Sequence, residues 1–282
     1  MKKLSIIIVN YNVTDLLRAC LKSIENFVQG IDYEVIVVDN ASSDTTWKEL
    51  IPAFPQVQFV PQKNNFGFAV ANNLAVKIAQ GEYILLLNPD TEFESHDLKE
   101  ALDFADSMQD FGCLGVQMHN KLGHFLPESK RSVPGVFNSF NKLFVCFGNS
   151  NRKTYYRNDI LASEIAEVEV ITGAFFLCKK QTYQEVGGLD EAYFMYGEDI
   201  DLCYSLLRAK KRNWYYGKVS ILHHKGESTV KDKIYLERFF GAMQIFVDKY
   251  YRGKKPIQYF ILSMGLRFKH FLERRKLRKS LQ

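Results

Sequence analysis

Carboxylates and imidazoles stand at four places in this 282-residue chain where an apolar run ends or a helix begins. Asp39 closes Val35-Ile36-Val37-Val38, with Asn40-Ala41-Ser42-Ser43-Asp44 behind it. A carboxylate there can accept from a base N–H or a ribose hydroxyl, and the same residues are good turn formers. Asp90 closes Leu85-Leu86-Leu87-Asn88-Pro89. A hard cation carrying a diphosphate takes oxygen ligands of this kind, although Asn-Pro-Asp is also turn chemistry. Gly197-Glu198-Asp199-Ile200-Asp201 puts three acids within four positions at a helix start. The helix dipole favours acids there, and an acid at the lip of a site can take a proton from an attacking hydroxyl. His223 and His224 follow a short apolar strand. Imidazole joins oxygen-rich sites around manganese or a similar metal; the alternative is a structural pair.

Such residues act together only if strands end side by side. The apolar pattern predicts strands over 4–9, 34–38, 57–60, 83–87 and near 113–116. Helices are expected over 15–27, from Ser43 or Asp44 to before Pro55, over 66–80 and over 95–108. Continuous apolar strands separated by helices imply an α/β fold with a mostly parallel sheet covered on both faces. In such sheets ligands bind beyond the carboxyl ends of the strands, where Asn10, Asp39 and Asp90 fall. Residues 119–165 break the rhythm with Gly123, Pro127, Pro134, Gly135 and Gly148, an irregular excursion of the length compact domains keep for function. Regularity returns over 167–179, near Glu198, near Trp214 and near Ser220, and from Lys231 the pattern is helical and basic.

Composition narrows the class. The chain is 46% hydrophobic and 24% charged, enough for a large core. Its 14% aromatic content is high, and deep cores, sugar-stacking surfaces or membrane-facing surfaces would all absorb it. Residues 252–282 hold ten Lys and Arg against one acid, Glu273, so the tail carries more positive charge than the chain's net +5 and the body is mildly acidic. That argues against nucleic acid as a partner and for a tail that meets an anionic surface. Five cysteines without a C-x-x-C pair read as buried thiols in a reducing cytoplasm. The apolar run after Lys2-Lys3 stops at Val9, too short for a signal-peptide core, and no segment reaches the roughly 20 apolar residues that span a bilayer.

In chain order the segments read Ser5 to Asn12, Val37 to Asp44, Asn64-Asn65-Phe66-Gly67-Phe68-Ala69, Leu87 to Asp90, Thr172-Gly173-Ala174, Gly187-Gly188-Leu189-Asp190, Gly197 to Asp201 and His223. This series resembles the family 2 glycosyltransferases, especially their bacterial rhamnosyltransferase-like branch, over roughly residues 4–250. The resemblance implies a GT-A fold with a donor half over about 1–118, an acceptor half over about 119–230, and a basic helical extension over 231–282. It implies an inverting transferase that moves a sugar from a nucleotide diphosphate (dTDP-rhamnose or a UDP-hexose) to a saccharide or lipid-linked acceptor in cell-surface polysaccharide biosynthesis. Asp39 then contacts the base or ribose, with Asn10, Asn12 and Asn40 around it. Asn65, Gly67, Asn88, Gly173 and Arg208 complete the donor-binding set. Asp90 binds a divalent metal, Mn or Mg, completed by His223 or, second, His224. Asp199 is the base, with Glu198 beside it, and Gly187 to Asp190 approach the acceptor. Two positions depart from the family pattern. Asn88 replaces the first acid of its Asp-x-Asp motif, removing one charged contact, and Ser205 stands where an arginine is frequent.

Other classes fit less well. A nucleotidyltransferase needs a Gly-rich basic loop after the first strand and a dehydrogenase needs Gly-x-Gly-x-x-Gly there; Asn10-Tyr11-Asn12 is neither. A non-catalytic sugar-nucleotide binder of the same fold is the remaining alternative. In the tail, aromatic and aliphatic residues from Ile234 to Phe271 interleave with Arg267, Lys269, Arg274, Arg275 and Lys276. That pattern predicts an interfacial segment, and the lipid-linked acceptor implied by the resemblance would place it on the cytoplasmic face of the inner membrane. Its alternatives are a helix packed on the domain or a contact within a homodimer.

Overall fold

A computed structural model describes residues 2–134, 155–224 and 232–280. Its strands are β1 (Leu4–Asn10), β2 (Tyr33–Asp39), β3 (Val57–Pro61), β4 (Tyr83–Leu87), β5 (Thr91–Phe93), β6 (Phe111–His119), β7 (Ile165–Val168), β8 (Phe175–Lys179) and β9 (Arg212–His223). The helices are α1 (Thr14–Phe27), α2 (Leu50–Ala53), α3 (Phe68–Ile78), α4 (Leu98–Ser107), α5 (Lys180–Glu185), α6 (Glu198–Arg208), α7 (Lys233–Tyr251) and α8 (Pro256–Ser280).

The strands form one sheet in the order β3-β2-β1-β4-β8-β6-β9-β5, with β7 paired to β9. Strands β1 to β4 are parallel, as their apolar runs and intervening helices predict. Beyond them the sheet is mixed. Strand β8 enters antiparallel between β4 and β6, and β9 runs parallel to β6 but antiparallel to β5 and β7. Strand direction is set by the connections, not by the apolar pattern, so only the first half was open to prediction.

Register brings the strand-end residues together. Asn10 lies opposite Asp39, and Ile8 lies opposite Leu87, immediately before Asn88. One face of the sheet packs on α1 and α4 through Leu17, Leu21, Ile24, Leu98 and Leu102. The other face packs on α3 and α6, joined by Phe246 and Tyr250 of α7. Helix α7 therefore contributes to the main core, while α8 packs on α7 through Leu262 and Leu266 against Phe240 and Val247. Lys249 of α7 adds a polar tie, bonding Asp190 at 2.6 Å and the buried Asp201 at 2.8 Å.

Two elements differ from the sequence-based expectation. The helix expected from Ser43 or Asp44 is only a 3₁₀ turn over Thr46–Glu49 followed by the single turn α2. Pro52 lacks the N–H that a longer helix would use, and Pro55 follows at once. The strands expected near Trp214 and Ser220 are one strand, β9, with a register shift opposite Val116 and Gln117. Cys20, Cys113, Cys178 and Cys203 are buried free thiols. Cys146 lies outside the described residues, as do residues 135–154 of the irregular excursion and residues 225–231, which include the rest of the His223 motif. Among the described residues no helix is long and apolar enough to cross a membrane.

Candidate active site

At the carboxyl ends of β1 and β2, Asp39 sits in a cage of short polar side chains. Its Oδ1 accepts from Asn10 Nδ2 at 2.8 Å and Ser42 Oγ at 2.6 Å, and its Oδ2 accepts from the Ser42 amide at 3.1 Å. Asn10 is fully buried, so it positions Asp39 from behind. Asn12, in a left-handed conformation, accepts from the Ser43 and Asp44 amides and fixes the same loop. Asn40 donates to Asn65 Oδ1 at 2.9 Å and to the Gly67 carbonyl at 3.2 Å. Gly67 is required where it stands. Its φ is +91°, and a Cβ there would lie 2.5 Å from the Phe194 carbonyl, which accepts from the Phe68 amide at 2.8 Å. The start of α3 is thereby docked on the loop that precedes Glu198.

The pairing of β5 with β9 places Thr91 opposite His223 and so sets Asp90 beside the histidines. His223 Nε2 is 3.4 Å from Asp90 Oδ1. His224 turns to the other side, where its Nε2 contacts Glu92 Oε1 while its amide donates to the Asp90 carbonyl. Of the two imidazoles, His223 is therefore the one whose Nε2 lies against the Asp90 carboxylate. Neighbouring ligands of an octahedral ion with roughly 2.1 Å bonds are about 3 Å apart, so the Asp90 oxygen and His223 nitrogen fit one cation. His223 Nδ1 is buried with no hydrogen-bond partner among the described residues. Those residues form no cluster of three or more metal-ligating side chains. Two protein ligands with the rest from diphosphate and water is an arrangement magnesium-type ions accept.

Helix α6 begins at the third acidic group. The Asp199 side chain is nearly buried, and its Oδ2 is 2.6 Å from Arg131 Nη2. The same oxygen accepts from the Gly173 amide at 3.2 Å, and Oδ1 accepts from the Ile200 amide at 2.8 Å. A carboxylate has about four acceptor positions; the described residues fill three of them, and the remaining one is on Oδ1. Arg131 is itself held by the Ile171 carbonyl at 2.7 Å and by Tyr155 Oη. Burial works against its charge, but Asp199 and then Tyr155 more than offset this and hold it cationic. Glu198 is not paired with the guanidinium, and the Arg131 charge offsets only a small part of what raises it. Burial first, and then the charge of Asp199, push its carboxyl up to about 8. Glu198 is therefore mostly neutral at pH 7, and Asp199 is the acid with the cation.

A cleft of about 900 Å³ connects these groups; Asn40, Asn65, Asn88, Asp90, Gly173 and Asp199 are among its lining residues. Asp39, Asn10, Asn12, Gly67 and the histidines support that lining from behind or beside it. Arg208 is exposed over the ring of Tyr250 at 5.7 Å and does not line the cleft. Gly187 to Asp190 line a separate recess of about 360 Å³ with Asp201, Ser205 and Lys249. Sequence reasoning missed Arg131. It is one of 37 Lys and Arg and lies in a segment without periodicity, so nothing local marks it.

The chain matches the model of glycosyl transferase family 2 over residues 5–186 and belongs to that family. It is 27% identical over 264 residues to the N-acetylglucosaminyl-diphospho-decaprenol L-rhamnosyltransferase of Mycobacterium tuberculosis, covering 87% of this chain and 85% of the relative. It is 27% identical over 226 residues to the rhamnosyltransferase WbbL of Escherichia coli K12, covering 78% and 82%. A crystal structure of GalNAc-T7 with UDP, GalNAc and Mn2+ superposes with a TM-score of 0.64 at 13% identity, over 96% of this chain and 54% of that longer one. The fold is GT-A.

The raised Glu198 proton affinity has a consequence for stability. Between its ordinary value of 4.5 and about 8 the folded chain binds this proton and the unfolded chain does not, so stability falls as pH rises through that window and levels off above it. Glu198→Gln should flatten this fall and unfold about 2–4 kcal/mol later than the wild type at pH 8. Denaturant unfolding at pH 5 and pH 8 checks it; equal falls in both proteins would contradict the assignment.

Proposed function

We propose that this chain is an inverting glycosyltransferase that moves one sugar from a nucleotide diphosphate onto a saccharide carried by a lipid, for cell-surface polysaccharide. The observation that carries the reading is Asp199, fixed on three sides with one acceptor position open. Rhamnose from dTDP-rhamnose is the first choice of donor sugar, given the two relatives named as rhamnosyltransferases. A UDP-hexose is the second.

Asn40, Asn65 and Gly173 border the donor, and Asp39 behind them fixes the loop at which the base or ribose lies. The acceptor hydroxyl donates to Asp199 Oδ1. As its oxygen bonds to the anomeric carbon, that carbon's bond to the diphosphate oxygen breaks on the opposite face, and the proton passes to Asp199. Asp90 and His223 would hold a Mn or Mg ion, which when bound neutralises charge on the leaving diphosphate. Arg131 keeps the carboxylate aimed and balanced while it waits for the hydroxyl. A non-catalytic binder would need no base held in this way.

The outer face of α8 supports peripheral membrane contact. Ile257, Phe260, Ile261, Met264, Phe268 and Phe271 are all exposed and recur every three or four residues along one side. Arg267, Arg274, Arg275 and Lys276 flank that side, the pattern of a helix lying in an anionic interface.

Two experiments test these readings. Asp199→Asn should bind the nucleotide-sugar with manganese as the wild type does, by calorimetry, while transfer falls at least about 100-fold. Wild-type rates in the variant would remove Asp199 as the base, and a wild type that binds donor but never transfers would favour the non-catalytic reading. Full-length protein should pellet with vesicles containing anionic lipid, and Phe260→Glu with Phe268→Glu should leave it in the supernatant. Equal pelleting of both would exclude this face.

A further inference from the structure

The cleft that contains Asp90 and Asp199 continues beyond the sheet. Its far part runs between α7 and α8, where Leu236, Phe239, Phe240, Met243, Leu266 and Leu277 line it. Apart from the weak acceptor sulfur of Met243, none of these side chains can pair with a sugar hydroxyl, and none can donate to a phosphate oxygen. A saccharide placed there would lose its water and gain at most that weak partner, whereas a hydrocarbon needs none. A run of rings connects this part to the acids. Tyr196, two residues before Glu198, meets Tyr235 at 5.3 Å and Phe239 at 6.2 Å between centroids. Phe239 meets Phe240 at 5.5 Å, and Phe240 stacks on His270 of α8 at 4.8 Å.

Beside this apolar part, Lys269 and Lys276 also line the cleft. Both bond the one carboxylate of Glu273, at 3.3 and 3.0 Å. Two ammonium groups on one carboxylate leave a net positive charge next to a hydrocarbon-lined trough. That combination suits a molecule with an anionic head and an apolar tail.

We infer that the α7–α8 part of the cleft binds the isoprenoid chain of a lipid-diphosphate acceptor, with its diphosphate at Lys269 and Lys276 and its sugar directed along Tyr196 and Tyr235 toward Asp199. The inference rests on the proposal that the acceptor is lipid-linked, and it says where the lipid goes. The cleft's volume of about 900 Å³ is near the upper end of the roughly 300–1,000 Å³ of small-molecule sites, in keeping with a donor and part of an acceptor together.

The test is a calorimetric titration of the full-length protein, saturated with dTDP, by isoprenoid diphosphates of increasing length. Farnesyl diphosphate should bind at least tenfold more tightly than dimethylallyl diphosphate, and inorganic diphosphate should not compete at equal concentration. Lys269→Glu, on the rim, and Phe239→Ser, in the trough, should each weaken farnesyl diphosphate at least tenfold with dTDP affinity unchanged. Chain-length independence, wild-type binding by both variants, or full competition by inorganic diphosphate or by vesicles without isoprenoid overturns the inference. A catalytically silent protein that still shows the length dependence keeps the lipid site and loses the transferase reading; an active one without it loses the lipid site alone.

Discussion

The site is organised around one nearly buried ion pair, Arg131 with Asp199. Desolvating two charges costs several kcal/mol each, which their attraction recovers only with good geometry and further hydrogen bonds. Those bonds are present. Arg131 also donates to the Ile171 carbonyl, Asp199 also accepts from the Gly173 amide, and the Arg131 backbone pairs in both directions with Val170. Three separate pieces of chain are locked together by these contacts: the irregular stretch after β6, the segment leading into β8, and the start of α6. A well-packed apolar pair could fill the same space at least as stably, so the pair is better understood as a device for placing a carboxylate.

Two neighbouring acids with different surroundings follow from that placement. Asp199 takes the guanidinium, and Glu198, one residue earlier, takes the burial. The second is kept mostly protonated and leaves the first as the available base, the separation of roles that adjacent carboxyl groups acquire when their environments diverge. At the edge of the sheet, the β5–β9 pairing brings both histidines to the turn before β5, with His223 at Asp90 and His224 at Glu92. The proposed chemistry therefore needs no unusual side chain; it needs strand ends and a helix start held around one cleft.

Much of this was legible in the sequence, for local reasons. Asp39, Asp90 and Asp199 each follow an apolar run or open a helix, and such positions fall at one edge of a parallel sheet. Strands β1 to β4 announce themselves as continuous apolar runs. The direction of β8 is not written in its residues, because apolar periodicity carries no sense of chain direction. Nor could the sequence choose between His223 and His224, since both stand at the end of β9 and only the folded position of Asp90, in the turn before β5, decides. Arg131 was invisible because its partner is 68 residues away and its own segment has no repeating pattern. The same holds for the α7–α8 trough: the tail's aromatics were visible, but not that one side of them lines the cleft.

Replacing Arg131 by glutamine tests the central claim most directly, because it removes the counter-charge and leaves every proposed contact to the donor intact. The measurement is kcat for sugar transfer together with the donor Kd of the same preparation. The account predicts that Arg131→Gln lowers kcat at least about 100-fold, as removal of a positioned base does, with donor Kd within about twofold. An Arg131→Gln enzyme with wild-type kcat would contradict it.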